Sequence, residues 1–323
     1  MQLLRYIVRQ LSPCGTPLRS DTLYGLLLTR LAERSGPEAC RAAIDAFRAG
    51  RPPFLLSSIL PHGMIFKPQL PSPKRSLFRS WVEEGSFVDE SGKKLSLFST
   101  LVQLKKFRKI RYLPLHVWQS NAQNLSVKPL FQWFCSNPAQ NENLLTESIE
   151  PHVTIDRMRG TALPGGLFFN RLRCSVHDAT FDIYAQTDEP AKLLALLEEV
   201  GDLGYGQDAS TGKGRFSVTQ DKSFDPTQLE TPGPHKLLCS VCAAQSMAGF
   251  DGWYTIEGKR GKAGPLNVSP HKATMILVQE GSVLKSLPAL PYILEGIHAD
   301  PKIVQITHPL VLSCRLNEEE SNG

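Results

Sequence analysis

The stretch Gly204-Tyr-Gly-Gln-Asp-Ala-Ser-Thr-Gly-Lys-Gly-Arg-Phe216 lies between a predicted helix and a predicted strand. Its glycines permit positive φ angles and let another molecule approach the backbone closely. The residues between them supply hydroxyl groups and cations, at Ser210, Thr211, Lys213 and Arg215. Amides and hydroxyls can bond phosphate oxygens while Lys and Arg offset their charge. This glycine loop (residues 204–216) is therefore either a phosphodiester-binding segment with bare amides or a flexible surface turn.

Two nucleotide-binding motifs are excluded. A P-loop has four residues between its first glycine and a Gly-Lys pair that precedes Ser or Thr. Here five residues separate Gly206 from Gly212, and Gly214 follows Lys213. A Rossmann fingerprint needs a strand before the loop and a helix after it, and the predicted order is the reverse. A glycine loop that leads into a sheet edge favours an extended polymer over a compact pyrophosphate.

The composition predicts a globular protein of two domains. The chain has 323 residues, of which 41% are hydrophobic and 21% charged, and its net charge is +5. Nucleic-acid binding therefore does not follow from total charge but depends on clustering. No apolar run is long enough for a membrane span, and we expect neither a signal peptide nor a membrane partner. Seven scattered cysteines predict no disulfide framework, so we expect a cytoplasmic protein.

Hydrophobic periodicity predicts an α+β fold. A strand at residues 3–11 precedes a helix for which Ser20 is the predicted N-cap and Gly36 the stop. Its buried stripe is predicted at Leu23, Tyr24, Leu27, Leu28 and Leu31, and a second helix is predicted at residues 37–49.

Clear hydrophobic periodicity is found again from residue 181 onward. A strand is predicted at residues 181–186, a helix at residues 189–200 that Gly201 stops, and a strand at residues 215–219 after the glycine loop. This order predicts the split βαβ arrangement of a ferredoxin-like or RNA-recognition-motif sheet with insertions. Such sheets are known RNA platforms.

The residues between the second predicted helix and this strand show weaker periodicity. Residues 52–61 suggest one apolar strand between prolines, and residues 67–73 contain too many prolines for regular structure. Residues 120–150 are rich in Asn and Gln, which predicts an insertion rather than a core element.

A boundary is predicted in the Pro-rich and Asp-rich residues 221–234. It would divide the chain into an N-terminal ferredoxin-like domain (residues 1–222) and a smaller C-terminal ferredoxin-like domain (residues 223–323). Strands are predicted in the second domain at residues 236–243, 274–279 and 303–314. A second loop of glycines, cations and aromatics is predicted at residues 252–262, and residues 317–320 should be a disordered tail.

Two further stretches are candidates for RNA contact. Lys105-Lys-Phe-Arg-Lys-Ile-Arg111 is the densest basic cluster, with Phe107 available for base stacking; the alternative is a solvated basic face. Pro151-His-Val-Thr-Ile-Asp-Arg-Met-Arg159 places Arg157 and Arg159 on one side of an extended chain. An ion pair between Asp156 and Arg157 is the alternative interpretation.

Several stretches occur together in an order that resembles one family. They are Ser20-Asp-Thr-Leu-Tyr-Gly-Leu26, Phe54-Leu-Leu-Ser-Ser-Ile-Leu-Pro61, the basic cluster, His152-Val-Thr-Ile-Asp-Arg157, the glycine loop, Gly258-Lys-Arg-Gly-Lys262 and Glu280-Gly-Ser-Val283. This set is similar to the subtype-A RAMP subunit that caps the crRNA 5′ end in type III CRISPR antiviral effector complexes. The resemblance covers nearly the whole chain except residues 120–150 and the tail.

The resemblance implies a non-catalytic RNA-binding subunit without cofactor or metal. It would hold the repeat-derived 5′ tag of the crRNA, dock on the large polymerase-like subunit and adjoin a backbone RAMP subunit. The RNA-contacting residues would be Gly204, Gly206, Ser210, Thr211, Gly212, Lys213, Gly214, Arg215, His152, Asp156, Arg157, Arg159, Lys105, Lys106, Lys259 and Lys262.

Three alternatives stay open. Related RAMP proteins are metal-independent endoribonucleases, for which His62 or His152 could move protons. Cys239-Ser-Val-Cys242 could bind zinc, but the chain has no second Cys-x-x-Cys pair, and core packing is the simpler interpretation. A scaffold that contacts only protein would show no salt-sensitive RNA binding.

Overall fold

A computed structural model describes residues 1–137, 144–176, 179–243, 249–264, 269–289 and 292–317. The α-helices are α1 (Ser20–Ser35), α2 (Pro37–Arg48), α3 (Arg75–Glu83), α4 (Leu97–Lys109), α5 (Leu115–Asn121), α6 (Val127–Ser136) and α7 (Pro190–Leu203). The strands of the first 220 residues are β1 (Gln2–Gln10), β2 (Phe54–Leu56), β3 (Leu60–Pro61), β4 (Met64–Phe66), β5 (Tyr112–Pro114), β6 (Leu145–Asp156), β7 (Thr161–Ser175), β8 (Thr180–Thr187) and β9 (Phe216–Gln220). The later strands are β10 (His235–Leu238), β11 (Asp251–Trp253), β12 (Ile256–Lys262), β13 (His271–Val278), β14 (Val283–Ser286), β15 (Ile293–Leu294), β16 (Gln305–Ile306) and β17 (Val311–Cys314).

The main sheet has the antiparallel order β2-β8-β1-β9, and β3 also pairs with β8. Along the chain its members and their helices follow as β1, α1, β2, β8, α7 and β9, which is the predicted split βαβ order. Tyr6, Val8 and Ile183 are buried in the core that includes side chains of α1 and α7. Leu3 and Tyr184 are buried in a second core, on which α3 to α6 and the C-terminal sheet also pack. The α+β class is confirmed.

Helix α1 buries the predicted stripe and ends at Gly36, whose φ is 87° and whose amide donates to the Ala32 carbonyl. The predicted cap at Ser20 is wrong: Arg19 is the N-cap residue, and no side chain caps the helix. The Ser20 hydroxyl oxygen instead accepts a hydrogen bond from the Val241 amide at 3.1 Å. Ser20 therefore joins α1 to the C-terminal part of the chain.

Helix α7 does not stop at Gly201 as predicted. It continues to Leu203, and Gly204 caps it with a φ of 94°. A Cβ atom at Gly201 would lie 2.2 Å from the Phe216 carbonyl oxygen. Gly201 is thus a point of close approach between α7 and β9 rather than a helix terminator.

The predicted insertion at residues 120–150 is wrong in its first half. Helices α5 and α6 belong to the core, since Trp118, Leu130, Phe131 and Phe134 are buried. The aromatic side chains fall on the inner face of each helix, and the polar side chains that gave the stretch its composition lie mostly outside. Residues 138–143 lie outside the described residues.

The predicted strand at residues 52–61 is two short strands, β2 and β3, separated by serines. The Ser57 hydroxyl oxygen accepts a hydrogen bond from the Tyr184 amide, and the Ser58 hydroxyl oxygen accepts one from the Ser20 amide. Residues 67–73 have no regular structure, as predicted.

The C-terminal part contains a four-stranded sheet in the order β11-β14-β10-β17. The described residues from 223 to 317 contain no α-helix, so a second ferredoxin-like domain is not confirmed. The predicted loop at residues 252–262 is mostly the strands β11 and β12, and β12 forms a hairpin with β13. The boundary at residue 222 stays a prediction, and residues 318–320 of the expected disordered tail lie outside the described residues.

The strands predicted at residues 236–243 and 303–314 are both shorter than expected. Strand β10 ends at Leu238, and Cys239 and Cys242, which follow it, are fully buried free thiols in two different core clusters. The last predicted strand is divided into β16 and β17. The buried cysteines fit core packing rather than zinc binding.

A buried polar junction connects the start of α1 to the C-terminal part. The Arg19 guanidinium contacts Glu280 through two hydrogen bonds of 3.2 Å and Glu257 through one of 2.8 Å. Lys259 Nζ lies 2.5 Å from Asp21 Oδ2, and the Gln305 side-chain amide donates to the Asp21 carbonyl. We call these residues, together with Ser20, the α1 junction.

Next to this junction, Tyr24 donates a hydrogen bond to the His308 carbonyl, and the His308 ring packs against Phe47 and Tyr292. Burial lowers the pKa of His308 to about 4 from its ordinary value of 6.5. The neutral imidazole is therefore the form that this core accommodates.

We predict a loss of stability as the pH falls from 6.5 to 4, because folding must then exclude a proton from His308. The fully developed effect is about 3 kcal/mol. Urea unfolding at several pH values should show a flatter pH dependence for His308→Leu than for the wild type, whereas the exposed control His116→Gln should follow the wild type. Equal slopes for His308→Leu and the wild type would contradict this assignment.

Candidate nucleic-acid interface

The base of the glycine loop is fixed to the fold by Tyr205, which is fully buried. Its hydroxyl donates to the Pro17 carbonyl at 2.9 Å and accepts from the Arg19 amide at 2.9 Å. Two glycines allow this packing: a Cβ atom at Gly206 would lie 2.5 Å from Thr16, and one at Gly214 would lie 2.1 Å from the Tyr205 carbonyl oxygen. The loop thus rests on the segment that leads into α1.

Most amides of the glycine loop are not bare, contrary to the sequence-based expectation. Those of Gly204, Tyr205, Gln207, Thr211, Gly212, Lys213, Gly214 and Arg215 donate hydrogen bonds within the protein. The amides of Gly206, Asp208, Ala209 and Ser210 have no partner among the described residues. The backbone of the loop is therefore a fixed structure with a short stretch of available donors at its tip.

That tip faces solvent. Ser210, Thr211, Gly212 and Arg215 are exposed, while the Thr211 hydroxyl donates to the Asp208 carbonyl. Asp208 has a left-handed backbone, with a φ of 59°, and its carboxylate accepts a hydrogen bond of 3.0 Å from the Asn170 side chain. Among the described residues, the exposed tip therefore presents one hydroxyl, that of Ser210, one guanidinium, that of Arg215, and several amides without a partner.

A long hairpin of β6 and β7 lies beside the glycine loop. Lys213 Nζ lies 3.1 and 2.9 Å from the two carboxylate oxygens of Glu150 on β6. This ion pair lowers the pKa of Glu150, chiefly through the hydrogen bond from Lys213. His152 is next on the same face, with its Nε2 atom 3.5 Å from Glu150 and its ring stacked on Phe168. The structure thus brings Lys213 and His152 together through a carboxylate that the sequence interpretation did not include.

The tip of the hairpin contains the remaining predicted residues of this segment. The Asp156 carboxylate accepts hydrogen bonds from the amides of Met158 and Arg159, so it stabilises the turn. Its ion-pair partner is Arg159, at 3.8 Å, and not Arg157. Arg157 and Arg159 are exposed in the turn, so the expectation that they share one face of an extended strand is wrong.

Lys259 and Lys262 differ in environment. Lys259 belongs to the α1 junction, where its ammonium contacts Asp21 and the Thr22 hydroxyl. Lys262 is exposed at the end of β12. Of the two, only Lys262 has an ammonium that faces solvent without an ion pair among the described residues.

Residues 105–109 of the basic cluster form the end of α4, and Arg111 lies between this helix and β5. Lys105 and Lys106 are exposed, but Phe107 is buried against Phe131 and Phe134. Phe107 is therefore a core residue, and the expectation that it could stack on a base is wrong. The structure gives no contact between Lys105 or Lys106 and the glycine loop or the hairpin.

Sequence reasoning missed the partners Glu150, Asn170 and Thr16. Glu150 and Asn170 are a cross-strand pair of the hairpin, and only strand pairing places them beside the loop. The apolar side chains Ile149, Val153, Leu167 and Phe169 are exposed on the same hairpin. Their alternation with polar residues could have indicated a two-stranded segment with both faces in solvent.

Two negative findings concern the described residues. They contain no group of three or more Cys, His, Asp or Glu side chains arranged for a metal ion. None of their helices combines the length and apolar character that crossing a bilayer requires.

The main sheet, its insertions and the glycine loop belong to a fold that solved structures share. No family model matches the chain, and no curated protein matches it. Among solved structures, a chain of the Csm1-Csm4 cassette in complex with cA4 has a TM-score of 0.59 and 14% identity, over 98% of this chain and 100% of that one. A cassette structure with pppApA gives a TM-score of 0.58 and 13% identity, with the same coverage.

A chain of the Csm3-Csm4 subcomplex in the type III-A CRISPR-Cas interference complex has a TM-score of 0.55 and 15% identity, over 96% of this chain and 99% of that one. Csm4 is the component that these complexes have in common. The chain has a Csm4-like RAMP fold, and the resemblance stated from the sequence is confirmed at the level of the fold.

We predict that two glycines of the loop differ in their tolerance of a side chain. Gly212→Ala should cost about 1–2 kcal/mol, because its φ of 89° is strained for alanine although no atom lies within 4 Å of the added Cβ. Gly214→Ala should cost about 3 kcal/mol or more, since its Cβ would overlap the Tyr205 backbone. Urea unfolding measures both changes, and equal losses would contradict the described packing.

Proposed function

We propose that this protein is a non-catalytic crRNA-binding subunit of a type III CRISPR effector complex that holds the repeat-derived 5′ tag. The observation that carries the proposal is the glycine loop, fixed at its base and exposed at its tip, beside a projecting hairpin in a Csm4-like fold. The free amides at positions 206 and 208–210, the Ser210 hydroxyl and Arg215 would contact phosphate oxygens.

The hairpin would form the second wall of the RNA site. His152 and Phe168 already stack on one another, and Phe168 and Phe169 are exposed on the hairpin. Aromatic side chains beside phosphate-binding groups suit a single-stranded RNA, whose bases can stack on them. Arg157 and Arg159 at the hairpin tip, Lys262, and Lys105 and Lys106 would contribute cations farther along the chain of nucleotides.

Partner subunits are part of the same proposal. The neighbours of similar fold are named together with Csm1 and with Csm3. Helix α4 exposes apolar side chains, at Leu97, Phe98, Leu101 and Val102. Contiguous apolar surface of this kind commonly marks protein–protein contact. The chain would dock on the large polymerase-like subunit and adjoin a backbone RAMP subunit.

One observation favours a second candidate, a metal-independent endoribonuclease. His62 Nδ1 lies 2.7 Å from Oδ1 of the buried Asp182, whose other oxygen accepts from the Gly63 amide. A carboxylate that orients an imidazole is typical of general-base catalysis. Cleavage of repeat RNA in the presence of EDTA, lost in both His62→Gln and Asp182→Asn, would favour this candidate; intact RNA would favour the non-catalytic role.

The RNA-binding proposal predicts that Lys213→Ala combined with Arg215→Ala weakens binding of tag-bearing RNA about tenfold and reduces the slope of log affinity against log salt by up to about 2. Fluorescence anisotropy with a labelled single-stranded RNA that carries the tag measures both quantities. Arg34→Ala combined with Lys192→Ala is the matched control, because both cations form exposed ion pairs away from the loop. Equal affinities of the loop variant and the control would overturn the assignment.

A further inference from the structure

A second basic site shares no lining residue with the glycine loop. It is a cavity of 550 Å³ between the segment that follows β4, helices α3 and α4, and the turn before β14. No residue of the glycine loop or of the β6–β7 hairpin lines it. The positive charge of this cavity is therefore not explained by the proposed binding of the tag at the glycine loop.

The lining has a large excess of positive charge. Lys67, Arg75, Arg108, Lys109 and Arg111 face one carboxylate, that of Glu280. Glu280 is already engaged by Arg19, with Arg111 at 3.8 Å. In the part of the chain that the structure describes, the other four cations form no ion pair. An anionic occupant would compensate this charge.

Lys67 is the most constrained of these cations. Its ammonium lies 4.7 Å from the centre of the Phe107 ring. Burial, with a smaller contribution from Arg108, lowers the pKa of Lys67 to about 8. An anion beside it would stabilise its charged form.

The remaining walls suit an organic group larger than phosphate. Leu70, Phe78 and Leu104 provide apolar surface. Gln69 and Gln279 also line the cavity, and their side chains are held by hydrogen bonds with Thr255 and Glu257. The wall at residues 67–71 is preformed: the amides of Lys67 and Gln69 donate to the carbonyls of Arg111 and Gly281. Concave sites of this size are typical of small-molecule binding, and the excess of cations in this lining selects an anionic ligand.

We propose that this cavity binds a nucleoside phosphate, with the phosphate held by Lys67, Arg108 and Arg111 and the base against the apolar wall. The ligand is either a free nucleotide or the phosphorylated end of an RNA chain, since both present the same chemical group. A free nucleotide would go beyond the proposed function, whereas an RNA end would deepen it, and neither outcome depends on the glycine loop.

Isothermal titration of the full chain with four probes tests it: uridine 5′-monophosphate, 5′-phosphorylated triuridylate, uridine and inorganic phosphate. We expect one of the two phosphorylated nucleoside probes to bind at least tenfold more tightly than uridine and inorganic phosphate. Tighter binding of the monophosphate supports a free nucleotide, and tighter binding of the trinucleotide supports an RNA end. Absence of binding by both, or equal binding of inorganic phosphate, overturns the proposal.

Variants locate the binding. Lys67→Met combined with Arg108→Gln should lower affinity for the phosphorylated probe at least tenfold. Arg108→Gln alone should lower it about threefold, and this change leaves the core intact because Arg108 is exposed. Arg79→Gln is the control: Arg79 is one turn beyond Arg75 on α3 but does not line the cavity. Unchanged affinity in both cavity variants refutes the site. Failure of the glycine-loop variant to weaken tag binding would count only against the proposed function.

Discussion

The contact of Arg19 with Glu280 and Glu257 holds the separate parts of this fold together. Arg19 precedes the first helix, whereas both carboxylates belong to the C-terminal part. The Glu280 side chain is only 1% exposed. Burial raises the pKa of its carboxyl, but Arg19, together with hydrogen bonds from Ser58 and from the backbone, more than offsets that effect, so the pKa is lowered. Removing one partner of a buried pair typically costs about 3–5 kcal/mol, since the other charge is left without compensation. Both proposed sites adjoin this arrangement, because the Arg19 backbone bonds to Tyr205 of the glycine loop and Glu280 lines the cavity.

The same few residues also position the glycine loop. The Tyr205 hydroxyl bonds to the backbone of Pro17 and Arg19, so the loop base and the start of α1 are one hydrogen-bonded unit. Left-handed backbone at Asp208, Gly212 and Gly214 then turns the tip toward solvent. A loop fixed in this way loses little conformational entropy when it binds a ligand. The glycines therefore serve close packing and turning, in addition to any approach by a phosphate.

Local signals in the sequence predicted much of the main sheet, because the stripes of α1 and α7 and the buried runs of β1 and β8 have clear periodicity. They could not predict that residues 115–136 form core helices. The stretch is polar on average, and an average does not show that Phe131 and Phe134 fall on one face of a helix. They also could not assign Lys259, whose partner Asp21 is 238 residues away. The sequence could predict which types of residue the site contains. It could not predict which cations are free and which form ion pairs, because that depends on tertiary contacts.

Which cations are free and which are paired determines what each could contribute to the proposed RNA binding. Lys213 faces a carboxylate in the free protein, so a phosphate at this position must compete with Glu150 or share the ammonium with it. The competition is weak, because partly exposed ion pairs contribute about 0–1 kcal/mol. It nevertheless places a negative charge beside the proposed RNA path, which would disfavour nonspecific polyanions that approach from the hairpin side. Arg215 and the amides of the loop tip have no such competitor among the described residues, and they would therefore supply most of the phosphate affinity, with Lys213 setting the position of the backbone relative to the hairpin.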